Sequence, residues 1–181
     1  LANLDRAWRR EFGDGRAGST PELVGELLVL STLNANPAAA SVRELIDAAT
    51  LIYTQERSAS KPALKVDAGD TTIAVDRTGM QRAIAALLHN AAEAGAKAVD
   101  VQAHTDSDSL VIAVADDGAG IPANIRARIT EPFFTTRRDE SHNGLGLTLV
   151  KEMLRVHGGK VSFDHDNERG TRVTLRLPLA Q

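Results

Sequence analysis

The stretch most able to do chemistry is Asp116-Asp117-Gly118-Ala119-Gly120-Ile121-Pro122. It follows Leu110 to Ala115, an apolar run rich in β-branched residues and bounded by turn formers, which predicts a buried strand. A carboxylate at the mouth of such a strand is costly to keep ionised unless something donates to it. Glycine lets backbone approach a ligand where a Cβ would collide. One reading is an adenine pocket in which Asp116 accepts from the exocyclic amine while Gly118 and Gly120 make room for the ring. The other is an ordinary Asp-Gly turn leaving the strand.

Three further stretches carry candidate chemistry. In Leu87-Leu88-His89-Asn90-Ala91-Ala92-Glu93-Ala94, the apolar residues fall at core spacing, and Asn90 and Glu93 share another face at i, i+3. Asparagine is a mediocre helix former. Asn90 is therefore either a solvated or back-bonded side chain or an oxygen ligand for Mg²⁺, an ion that takes few protein ligands. Gly144-Leu145-Gly146-Leu147-Thr148-Leu149-Val150 puts a glycine pair at a helix start. Such a place is receptive to phosphate through exposed N–H groups and the helix dipole, or it is simply a flexible first turn. In Glu131-Pro132-Phe133-Phe134-Thr135-Thr136, two adjacent phenylalanines stand in a chain with only 3% aromatics. They either anchor a movable lid, with Thr135, Thr136 and Arg137 facing phosphates, or fasten a solvated loop to the core.

The elements that must position these residues follow from periodicity. Residues 1–36 predict a helical segment set apart from the rest. Leu4, Ala7 and Trp8 mark a short helix broken at Gly13 to Gly18. A second starts at Ser19-Thr20-Pro21-Glu22 and carries Leu23, Leu27, Leu28 and Leu30. From residue 37 the pattern becomes regular. Ser41 and Glu44 form a capping box that opens a helix with Val42, Leu45, Ile46, Ala49 and Ile52 inward. Ala63 to Asp67 and Thr71 to Val75 read as strands joined by Ala68-Gly69-Asp70. A helix from Arg77 to Ala94 leads to strands Ala98 to His104 and Leu110 to Ala115, then to a short helix near Ala123 to Ile129. A helix from Leu145 to His157 ends at Gly158-Gly159, and strands Lys160 to Asp164 and Thr171 to Leu177 close the chain. Strands that alternate with helices yet pair largely as hairpins predict an α/β two-layer sandwich, with a mixed, mostly antiparallel sheet and helices on one face.

Composition bounds the partners. The chain has 181 residues, 43% of them hydrophobic, a net charge of −3 and a pI near 6.0. That gives no electrostatic case for nucleic acid. No apolar run reaches the length of a membrane span. Without cysteine there is neither disulfide nor thiolate nucleophile, which suits a cytoplasmic location. The first residue is Leu1, so the chain is expected to be a piece of a longer protein, which in full is compatible with a membrane anchor.

The four stretches occur in one order, and together they resemble the ATP-binding catalytic domain of sensor histidine kinases, in the superfamily shared with gyrase and Hsp90 (the Bergerat ATP-binding fold). Leu87 to Ala94 matches the N box, Asp116 to Pro122 the first glycine box, Glu131 to Thr136 the F box, and Gly144 to Val150 the second glycine box. The resemblance covers about Ser41 to Pro178. It implies ATP and Mg²⁺ as cofactors, with Asn90 holding the ion and Asp116 accepting from adenine N6. It places Gly118, Gly120 and Ile121 at the base, with Thr171 holding a water nearby. Gly144, Leu145, Gly146 and Leu147 would close the phosphate end. Glu93, Phe133, Thr135, Thr136 and Arg137 would complete the ATP site, and residues 126–143 would form the lid. The implied partners are a phosphoacceptor histidine domain and a response-regulator receiver domain, with a homodimer in the full-length protein.

Two positions refine the likeness. Ala86 stands where the ATP-hydrolysing relatives carry a water-activating glutamate, and histidine kinases lack that glutamate too. Glu93 stands where some kinases carry a lysine or arginine, and nitrogen-sensor-like kinases often have glutamate. None of the five histidines (His89, His104, His142, His157, His165) lies in a phosphoacceptor setting. The expected reaction is therefore transfer of the ATP γ-phosphate to a histidine outside this chain, and residues 1–36 read as the end of a dimerisation hairpin. The alternative is a degenerate, kinase-like module that docks a response regulator or partner kinase without catalysis.

Overall fold

Alternation of apolar and polar side chains builds the sheet that carries the site. The computed structural model describes residues 37–55, 61–136, 144–164 and 170–179. The elements in chain order are β1 (Ala38–Ser41), α1 (Val42–Gln55), β2 (Ala63–Ala68), β3 (Thr72–Val75) and α2 (Arg77–Glu93). They continue with β4 (Ala98–Asp106), β5 (Ser109–Asp116), α3 (Gly146–Val156), β6 (Lys160–Asp164) and β7 (Thr171–Pro178). Five strands form one sheet in the order β2-β4-β5-β7-β6. Every pairing in it is antiparallel except β2 with β4.

One face of this sheet presents Val99 and Val101 from β4, Leu110, Ile112 and Val114 from β5, and Val173, Leu175 and Leu177 from β7, all buried. The helices cover that face with Ile84, Leu88, Leu149 and Met153, also buried. The result is the expected two-layer sandwich, with its core between the layers. Central β5 is nearly buried on both faces, Val111 and Ala113 included, which explains why its sequence runs apolar without a break.

Two expectations need correction, and one strand was not expected. The strands on either side of Ala68-Gly69-Asp70 do not make a hairpin. β3 leaves the main sheet and pairs antiparallel with β1, while β2 pairs in parallel with β4. The turn is held elsewhere: Gly69 N–H donates to Ala103 O (3.4 Å), and Val42 N–H donates to Thr71 O (2.9 Å). β1 itself is three alanines and a serine. Such a sequence has little strand propensity of its own and becomes a strand through its partner. Finally, residues 123–129 are not a helix. Successive bonds from Ile125 N–H to Pro122 O, Arg128 N–H to Ile125 O and Glu131 N–H to Arg128 O make a chain of three-residue turns. The Arg126 guanidinium takes Ile121 O at 3.0 Å, which fixes the entry to that segment.

The capping box at Ser41 forms by half. Glu44 N–H donates to Ser41 Oγ at 3.4 Å, but the Glu44 carboxylate turns to Arg77 instead. α2 begins with Asp76 as N-cap, its Oδ1 accepting from Gly79 N–H at 3.0 Å. Asp76 N–H in turn donates to Nε2 of His157 (2.9 Å), whose Nδ1 lies 3.0 Å from Met153 O. That ring joins the end of α3 to the start of α2. Where the helices approach again, a Cβ built on Gly146 would meet the Ala86 methyl at 3.5 Å, so the two run antiparallel. The helical segment expected at residues 1–36 lies outside the described residues.

Candidate functional site

β5 runs apolar as far as Ala115 and then delivers Asp116 to the end of the sheet. There the chain turns into the glycine-containing loop. Gly118 N–H donates to Asp116 Oδ1 at 2.8 Å, and Asp116 faces Thr171 across the β5–β7 ladder. Burial pushes the Asp116 carboxyl above its ordinary value of 3.8. The amides of Gly118 and Thr171 pull it part of the way back, and the charge of Asp117 pushes it up again. An ionised carboxylate offers about four acceptor positions, so two amide donors leave room for a ligand donor.

Asp116 lines a cleft of about 360 Å³ between the end of the sheet and α2, within the range of about 300–1,000 Å³ typical of small-molecule sites. α2 contributes Asn90 and Glu93 to its wall, one turn apart as their spacing predicts. Gly120, Ile121, Thr135, Thr136, Leu147 and Thr171 also line it. Nδ2 of Asn90 is buried and bonded to nothing among the described residues. A buried amide without a partner is uncommon, and rotation about its last torsion exchanges nitrogen for oxygen. Among the described residues no three Asp, Glu or His side chains converge as a metal cage. The side chain of Asn90, turned about that torsion, would offer one amide oxygen to the implied Mg²⁺.

The remaining expected residues sit around the cleft without lining it. Gly118 is buried behind Asp116, where a Cβ would come within 2.8 Å of the Ala94 methyl. A Cβ there would also come within 2.9 Å of Asp116 Oδ1. Phe133 is 2% exposed and points into the core, while its neighbour Phe134 faces the cleft with Arg128 stacked 4.4 Å from its ring centre. Phe133 has φ of 64°, the left-handed region that aromatic residues rarely adopt. Its N–H donates to Gly144 O at 3.0 Å, so the F box and the second glycine box meet. Leu145 is fully buried, and α3 starts there without a side-chain cap. Arg137 lies outside the described residues.

Several residues at the site escaped the sequence reading. Phe163 of β6, with Val114 and Val173, gives the cleft an apolar floor. The signal was the alternation of Lys160 to Asp164, which puts Val161 and Phe163 on the core face. Gly170 is the other. Its φ is 88°, and a Cβ there would collide with the Asp116 carbonyl oxygen. Only glycine lets β7 begin this close to β5.

Comparison with known proteins shows the family. Residues 75–181 match the family described as histidine kinase-, DNA gyrase B- and HSP90-like ATPase. The alginate biosynthesis sensor protein KinB of Pseudomonas aeruginosa is 32% identical over 78% of this chain. The nitrogen regulation protein NtrY of Azorhizobium caulinodans is 35% identical over 58% of it. The chain spans 24% and 14% of the lengths of those two proteins. Among solved structures, the mycobacterial sensor histidine kinase MprB superposes with a TM-score of 0.69 at 28% identity, covering 79% of this chain and 97% of that one. The acid at the end of β5, the amide on α2 and the cleft between them thus stand where the family match runs, and the chain belongs to the histidine kinase-, DNA gyrase B- and HSP90-like ATPase family, on its sensor-histidine-kinase branch.

Proposed function

We propose that the cleft binds ATP with adenine at Asp116 and the triphosphate toward Asn90, which would hold Mg²⁺, and presents the γ-phosphate to a histidine on another domain. The observation that carries this reading is one cleft holding both a half-buried, partly satisfied carboxylate and an amide whose nitrogen is buried without a partner among the described residues. Asp116 accepts from the base amine. Ile121, Val173 and Phe163 exclude water around the ring, while Thr171 orients the carboxylate from the facing strand. At the other end, the start of α3, with Leu147 lining the cleft, faces the phosphates, and Glu93, Thr135, Thr136 and Arg137 complete that end. When bound, Mg²⁺ neutralises phosphate charge.

Phosphoryl transfer asks the protein mainly for positioning. A nitrogen of the incoming imidazole bonds to the γ-phosphorus, the bond to the bridging oxygen breaks, and ADP leaves. The side chain at position 86 is a methyl, so nothing there takes a proton from water. This favours transfer over hydrolysis. In the full protein we place the domain in the cytoplasm beside a dimeric phosphoacceptor hairpin, whose end is residues 1–36, with a receiver domain as the next phosphate acceptor. The docking-module alternative is not favoured, because the acid and the amide both line the cleft and the relatives are sensor kinases.

Titration of the chain with a non-hydrolysable ATP analogue and Mg²⁺ tests the assignment. Asp116→Asn should weaken binding by about 1.5–3 kcal/mol, the scale of a hydrogen bond to a charged group. Wild-type affinity in that variant would remove the adenine site from Asp116. Incubation with radiolabelled ATP and a separately supplied histidine hairpin should then give an acid-labile phosphoprotein.

A further inference from the structure

Asp117 has no place in the cleft. It is exposed, and it is absent from the residues that line the pocket. Its carboxylate is nevertheless engaged. One oxygen, Oδ1, accepts from both Lys97 N–H (2.7 Å) and Ala98 N–H (2.9 Å). Those amides belong to the short connection through which α2 passes into β4.

The same connection is tied to the loop twice more. Asp117 N–H donates to Ala98 O at 3.3 Å, and Ala119 N–H donates to Ala94 O at 2.9 Å. Between these bonds Gly118 is pressed against Ala94. On its other side the connection is rigid, because α2 closes in a Schellman motif. Gly95, with φ of 76°, donates to Ala92 O at 3.0 Å, and Ala96 N–H donates to Ala91 O at 3.1 Å. A continuous run of short bonds therefore joins the loop after Asp116 to the last turn of the helix that carries Asn90.

We propose that Asp117 is a positioning residue that fixes the distance between the base-reading carboxylate and the amide on α2, so that one nucleotide can engage both. This rests on the assignment of Asp116 and Asn90 to opposite ends of ATP. The geometry asks for an oxygen, not for a charge. A single atom accepts both amides, and an asparagine would supply the same acceptor.

Three variants of the chain separate the possibilities: Asp117→Ala, Asp117→Asn and Asp117→Glu. Each is titrated with AMPPNP plus Mg²⁺, which needs both ends of the cleft, and with adenosine, which needs only the base end. Thermal melts establish that each variant is folded at the assay temperature. The expected result is a loss of about tenfold or more for Mg²⁺-AMPPNP in Asp117→Ala, tenfold being about 1.4 kcal/mol. Adenosine should weaken much less, Asp117→Asn should return to near wild type, and Asp117→Glu, charged but one methylene too long, should not. Equal losses for both ligands, wild-type affinity in Asp117→Ala, or failure of Asp117→Asn to rescue would each overturn the proposal. If Asp117→Ala is unfolded, the contrast between Asn and Glu decides alone. Asp116→Asn runs alongside: if it binds adenosine like wild type the pocket assignment fails, and if only it loses binding the fault lies with Asp117.

Discussion

Asp116 and Asp117 are adjacent and chemically identical, yet the fold sends them opposite ways. Burial holds the Asp116 carboxyl above 3.8, while the Ala98 and Lys97 amides hold exposed Asp117 below it. The consequences for stability have opposite signs. A raised carboxyl contributes stability that is complete below the unfolded value and is lost as pH rises through the folded one. Ionised Asp116 is thus a cost to the fold at neutral pH. A lowered carboxyl such as Asp117 contributes stability above the unfolded value and loses it as pH falls through the folded one. Asp116→Asn keeps an acceptor for Gly118 N–H and removes the half-buried charge. Its melting temperature at pH 7 should equal or exceed wild type while nucleotide affinity falls. The two should converge as the pH is lowered past the folded Asp116 value, which a series of thermal melts would show. A drop in melting temperature at neutral pH would mean that the carboxylate is structural.

At the scale of elements, the decisive contact is the one between the start of β7 and the end of β5. Gly170→Ala puts a methyl into the Asp116 carbonyl and forces a left-handed φ on alanine. A cost of about 1–3 kcal/mol is expected, read as a lower urea midpoint, together with weaker nucleotide binding because Asp116 and Thr171 shift with the strand. This contact also marks where sequence reading stops. That Asp116 and Asn90 meet at one cleft was legible because each is a local pattern, an acid ending an apolar strand and a polar i, i+3 pair on an apolar helix, while Gly144 and Gly146, legible as a helix start, lie outside its lining. The layers were legible from periodicity. Gly170 was not, since its reason is a neighbour over fifty residues away. The parallel pairing of β2 with β4 and the strand Ala38–Ser41 were hidden for the same cause. Ala68-Gly69-Asp70 has hairpin chemistry, and only long-range pairing shows that the chain changes sheets there. Residues 123–129 misled because alanine, isoleucine and arginine favour helix locally, while the tether from Arg126 to Ile121 O imposes turns.

For the molecule as a whole, no helix among the described residues is long and apolar enough to cross a membrane. At about a hundred times its dissociation constant, an ATP analogue with Mg²⁺ should stabilise the fold by about 2.7 kcal/mol, on the order of 5–10 °C in melting temperature. Chelating the metal should reverse most of that shift, and Asp116→Asn should show little of it by differential scanning fluorimetry. The imidazole of His157 adds a mechanical consequence. It pins two long rods together at the end farthest from the nucleotide, as the rivet joins the legs of a pair of compasses. Small changes in spread at the points then leave the pivot still. The amide proton of Asp76 should accordingly exchange slowly whether or not ATP is present. His157→Phe, which strips that proton of its acceptor at a cost of about 1–3 kcal/mol, should release it and loosen the grip at the opposite tip.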